Sequence, residues 1–316
     1  MSGIVTLGIL ATESRSEVGD PLPVEPSSNW PIISLGLGAV IIAIVIGTAA
    51  MRLKNAPRNA WALTAGGSFL LFVGLSLFGS VGGTMMARLL SVPQGDESMK
   101  GKVIVAAGAF LTQLAILLMF RRTPRGGSRT LVASAVEALG TSQFAPANAF
   151  LPAWGIQRAI WFGALVLGIA WFPLQAVGSA VASIQFYFGG LEPPSEGHST
   201  FELLRNSHDM LLNGAMVVIV IICAPITEEF TFRGAMQMGI RSSGIRAWWA
   251  IVATSALFAA IHIPVLAEGA LASGLATLFM LAVILGWLME RTGRIAAPIA
   301  AHALFNLANL CLFWFA

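Results

Sequence analysis

Long apolar stretches alternate with short polar ones along most of the chain. Eight such stretches run over roughly residues 31–51, 60–86, 103–120, 159–188, 209–240, 247–263, 271–290 and 296–315. Each is near the ~20 apolar residues that carry an α-helix across a bilayer. None shows the period-two alternation of a membrane β-barrel, so helices are expected. The pattern predicts an all-α fold, a polytopic membrane helix bundle of about eight transmembrane helices. The first 11 residues are apolar but short and lack a basic leader, which argues against a cleaved signal peptide. With the acidic, Pro- and Ser-rich stretch that follows, residues 1–29 read as a disordered acidic tail. Residues 122–157 form the longest polar connection, with a short surface helix expected around 130–139. Residues 30–204 then supply membrane helices and loops acting as scaffold or access route, and 205–316 a core that carries the chemistry. Gly79 and Gly83, four apart, offer a place for close helix packing.

Composition supports the membrane reading. Hydrophobic residues make up 56% of the 316 and charged residues only 10%, against about 25% charged in soluble domains. This excludes a soluble enzyme, a disordered chain and a nucleic-acid binder. The net charge of +3 reflects topology. Counted loop by loop, the odd-numbered connections hold 12 Lys or Arg and the even ones four. The positive-inside rule then puts the odd connections in the cytoplasm and both termini outside, in what is expected to be a bacterial plasma membrane. Ser128→Cys should therefore resist an impermeant thiol label and Ser195→Cys accept it, in a background lacking Cys223 and Cys311. The reverse pattern would invert the topology. Those two cysteines lie in apolar runs and provide neither a disulfide framework nor a metal finger.

Ionisable groups deep in membrane helices cost about 2.5–3.5 kcal/mol each on insertion scales, so their presence points to function. Helix 5 is nearly all apolar from Met210 to Ile226, then reads Thr227-Glu228-Glu229-Phe230-Thr231-Phe232-Arg233, and turns apolar again at Ala235. Pro225 removes one helix hydrogen bond, which in α-helical register frees the Ile221 carbonyl. Glu229 and Arg233 stand four apart on one face and can pair, whereas Glu228 is five from Arg233 and turned away. An unpaired carboxylate in a low dielectric suits a general base. Helix 6 contributes His262 with Phe258 one turn earlier, and helix 8 contributes His302 and Asn306 on one face. Both of the latter can donate to a developing oxyanion or tie helices together. Counted from the flanking arginines, Glu228, His262 and His302 lie about 20, 24 and 12 Å into the bilayer, so they can meet at one level.

In order and spacing, Glu228-Glu229-x-x-x-Arg233, Phe258-x-x-x-His262 and His302-x-x-x-Asn306 resemble the motifs of the CPBP family of intramembrane proteases (CAAX prenyl protease and bacteriocin-processing, formerly Abi). Arg291-Thr292-Gly293-Arg294, followed by Ala297-Pro298-Ile299, resembles that family's approach to its last motif. The resemblance covers roughly residues 205–316. It implies an intramembrane endopeptidase acting on a membrane protein or peptide, lipid-modified in some members. It also implies Glu228 as base, His262 on the attacking water, and His302 with Asn306 as oxyanion hole. Glu229, Arg233 and Phe258 are left as structural neighbours.

The family was first described as metalloprotease-like, and Glu228, His262 and His302 would be the ligands of a Zn²⁺ ion. The His-Glu-x-x-His signature is missing, and a metal-free, cofactor-free glutamate mechanism is the favoured expectation. Two other classes compete. A non-catalytic membrane binding or immunity protein would not need the polar set intact, and a proton-coupled transporter would be expected to show inverted repeats, which the sequence lacks.

Overall fold

The computed structural model describes residues 65–93, 96, 98–121, 154–189 and 199–315. The tail at 1–29, the apolar stretch at 31–51 and the short helix expected at 130–139 lie outside these residues. Among the described residues there is no strand. The helices are α1 (Ala65–Leu89), α2 (Met99–Arg121), α3 (Ile156–Gly189), α4 (Ser199–Asn206), α5 (Met210–Arg241), α6 (Ala247–Ile261), α7 (Leu271–Thr292) and α8 (Ala296–Phe315). Seven segments are long and apolar enough to cross a membrane, namely every helix but α4, with α6 counted to Val265. The chain is an integral, multi-pass membrane protein.

Local chemistry explains the helix ends. Ser98 caps α2 through its hydroxyl on the Gly101 N–H, and its own N–H donates to Asp96. That backbone hydrogen bond holds the Asp96 carboxyl below its ordinary range. Asp209 caps α5, accepting from the N–H groups of Leu211 and Leu212 at 2.9 and 3.1 Å. Gly293, at φ 61°, ends α7 in the left-handed conformation that glycine adopts without penalty. Pro264 disfavours helical geometry at the residue before it, and α6 stops at Ile261 rather than reaching residue 263 as the apolar run suggested. At ~1.5 Å per residue, α6 is then only about 22 Å long.

α1 and α2 form one antiparallel pair. A Cβ on Gly79 would come within 2.7 Å of the Gln113 amide nitrogen, and one on Gly83 within 2.7 Å of the Val105 carbonyl oxygen, so the expected glycine contact is real. α3, α7 and α8 share a second core of Leu167, Leu174, Leu281, Leu285 and Ala301. α4 falls between the apolar runs at 159–188 and 209–240. Its Leu204 is buried with Met99, Val103, Met216 and Leu310, and Phe201 stacks on Phe313 at 5.0 Å. Residues such as Phe78, Trp161, Phe172 and Trp249 point outward along the helices, as lipid-facing side chains do.

Candidate active site

The site is built on α5, which changes winding twice. Residues 219–223 and 230–237 are π-helical, with α-helical residues 224–229 between them. In the first π segment the Ala224 N–H bonds to Ile219 O, five residues back. In that register the Val220 carbonyl would look to residue 225, and Pro225 has no N–H to give. The orphaned carbonyl is therefore that of Val220, not Ile221 as α-helical register implied. Asn306 of α8 satisfies it, donating from its side-chain nitrogen at 2.8 Å. Thr227 Oγ1 lies 3.2 Å from both Cys223 O and Ala224 O, and Thr231 donates to Thr227 O at 2.7 Å. Ser68 of α1 donates to Ala235 O within the second π segment at 3.0 Å.

These turns present two adjacent carboxylates to different surroundings. Glu229 is fully buried. Its Oε1 accepts from Arg233 Nη1 at 3.0 Å and from His302 Nδ1 at 2.9 Å. Arg233 is also buried, donates through Nη2 to Ala282 O at 3.1 Å, and stacks its guanidinium 4.7 Å from the Phe258 ring centre. Glu228 keeps 24% of its side chain exposed, and its Oε2 lies 3.8 Å from His302 Nε2. Glu228 is thus unpaired with Arg233, as its spacing suggested, but it does have a histidine beside it.

In both histidines the partner of Nδ1 assigns it a proton. His302 Nδ1 carries a hydrogen for the Glu229 carboxylate, which leaves Nε2 facing Glu228. At the end of α6 the His262 N–H turns back to Ala259 O. The Phe258 carbonyl, left without that donor, lies 2.7 Å from His262 Nδ1. A carbonyl only accepts, so Nδ1 holds the proton and the lone pair of a neutral ring is on Nε2. Phe258 is fully buried between the two rings, its centre 4.7 Å from His262 and 5.7 Å from His302. It connects α6 to the site. Asn309, one further polar residue on α8, bonds only to Phe305 O of its own helix among the described residues.

Among the described residues no three His, Cys, Asp or Glu side chains converge closely enough to hold an ion. His302 Nδ1 and His262 Nδ1 are committed to Glu229 and Phe258, so ligation by either ring would fall to Nε2.

Sequence reasoning missed a second polar group below the site. Arg233, Gln237 and Arg241 recur every four residues on α5, and Ala282, Gly286 and Glu290 do so on α7. Gln237 Nε2 donates to Gly286 O at 3.0 Å and to Glu290 Oε1 at 3.1 Å, and Arg241 Nε lies 3.2 Å from the same Glu290 oxygen. Gly286 is required here, because a Cβ would lie 2.9 Å from Gln237 Oε1 and 3.1 Å from Ile251. The matching four-residue spacings were the available signal.

Residues 211–308 match the family model described as Rce1-like, type II CAAX prenyl endopeptidase Rce1-like. This segment is Rce1-like. The match is consistent with a CPBP-family intramembrane protease, and every motif residue from Glu228 to Asn306 lies inside it. The Rce1-like segment runs from the start of α5 into α8, leaving α1 to α4 outside it. No curated protein and no solved structure matches the chain.

Proposed function

We propose that the protein is an intramembrane endopeptidase that hydrolyses a peptide bond in or near the bilayer, with Glu228 as general base. The observation that carries this reading is the inequality of the two carboxylates. Glu229 is spent on Arg233 and His302, while Glu228 stays partly exposed beside His302 Nε2. In this mechanism Glu228 takes a proton from a water molecule as its oxygen attacks the scissile carbonyl carbon. The Nε2 lone pair of His262 accepts a hydrogen bond from the water's other hydrogen, which stays on the attacking oxygen, and so orients that water. The oxyanion receives Nε2–H from His302 in its doubly protonated form and the second N–H of Asn306, the first being used on Val220. Collapse of the tetrahedral intermediate expels the amine, which takes its proton from Glu228. No metal enters these steps. The family description adds the substrate class, a membrane-held peptide with a prenylated CAAX-type end.

A cleavage assay on purified protein tests this. A fluorogenic peptide carrying a farnesylated cysteine should be cut in preference to its unmodified counterpart, and a chelator should leave the rate unchanged. Asn306→Ala should lower kcat by about 10²–10³-fold with a modest change in KM. Zinc present at one per chain, lost and regained together with activity, would refute the metal-free mechanism.

A further inference from the structure

A corner of the molecule at the α7–α8 turn gathers positive charge that no described carboxylate pairs with. Residues 154–158, at the start of α3, are tied to the α7–α8 turn. The Trp154 N–H donates to Thr292 O at 3.2 Å, and Arg294 Nε donates to Trp154 O at 2.7 Å. Arg158 lays its guanidinium 4.3 Å from the centre of the Trp154 ring. Arg291 precedes this turn, and Arg158, Arg291 and Arg294 are all exposed. Among the described residues no carboxylate pairs with any of the three. Glu290, adjacent in sequence, is buried against Gln237 and Arg241. Beneath the arginines lies an aromatic column, Trp154 on Phe162 at 4.9 Å and Phe162 on Trp287 at 6.0 Å.

We infer that this corner binds the phosphate headgroup of an anionic phospholipid. The pieces match what such a lipid presents. Arg294 is anchored through Nε, which leaves its two terminal nitrogens for phosphate oxygens, and Arg158 is held flat by the tryptophan. Indole rings favour the level of the headgroups, and the column below them is apolar, as an acyl chain requires. Helices α3 and α8 both begin here, so their positive ends add to the field. This is also the face that the arginine count directs to the cytoplasm, where basic pockets between helices recruit anionic lipid. A soluble anion would satisfy the arginines but would make no use of the aromatic column.

Native mass spectrometry of the full chain in detergent tests the site, with phosphatidylglycerol or phosphatidylcholine added. The wild type should retain the anionic lipid preferentially. The double variant Arg158→Gln, Arg291→Gln should bind it roughly tenfold or more weakly, two cationic contacts having been removed. The charge-conserving pair Arg158→Lys, Arg291→Lys should keep most of the affinity, which separates lost charge from lost folding. Arg246→Gln, at an exposed arginine preceding α6, should change nothing. Equal retention of both lipids, an equal loss in Arg246→Gln, or displacement of bound lipid by inorganic phosphate alone would each overturn the inference.

Discussion

Glu228→Gln should lower kcat for peptide hydrolysis by about 10²–10⁴-fold, the usual worth of a general base, while the protein accumulates and melts as the wild type does. Activity should fall because an amide cannot take the water proton. Folding should be spared because the side chain is partly exposed and, among the described residues, its one ion-pair partner is His302 at the long distance of 3.8 Å. Gln keeps the shape and can still make a hydrogen bond there. Cleavage rate, membrane abundance and thermal stability measured on one preparation decide the matter. A variant with undiminished cleavage would remove Glu228 from the mechanism.

Glu229→Gln should do the opposite and act mainly on folding. Arg233 is fully buried, and its charge is balanced by Glu229 at 3.0 Å. Removing one member of such a pair costs about 3–5 kcal/mol, because the other charge stays buried without compensation. Membrane abundance and melting temperature should both drop. Removing both charges, in Glu229→Gln with Arg233→Met, should recover much of that stability, since apolar replacement of a buried pair is often nearly neutral. The recovered protein should still be slow, because His302 has lost the carboxylate that holds its Nδ1 proton and turns Nε2 toward Glu228. A single variant as stable as the wild type would show that the pair is not structural.

What could be read from the sequence divides along one physical line. Helices α1 to α8, apart from α4, follow from apolar runs whose length matches a bilayer, and the Glu229–Arg233 pair follows from its four-residue spacing. Both are local properties. The partners that define the site are 73 to 86 residues apart, as with His302 on Glu229 and Asn306 on Val220, and depend on how each helix is rotated against the next. Pro225 was a visible sign of a broken hydrogen bond. Which carbonyl it orphaned depended on π-helical winding, a register that no residue pattern announced. α4 was hidden for another reason, since only 8 residues with modest apolar content fall far short of a membrane span.

The three rungs between α5 and α7 also bear on how a polypeptide reaches Glu228. Arg233, Gln237 and Arg241 meet Ala282, Gly286 and Glu290 in the same order and at the same intervals. Sliding one helix along the other by a single residue would break every rung together. The next position with matching partners is four residues away, about 6 Å. The two helices therefore behave as a ratchet with one comfortable tooth, and gradual parting of this seam is disfavoured at each step. Any gap wide enough for a peptide should open along a different seam, with α5 and α7 moving as one rigid jaw.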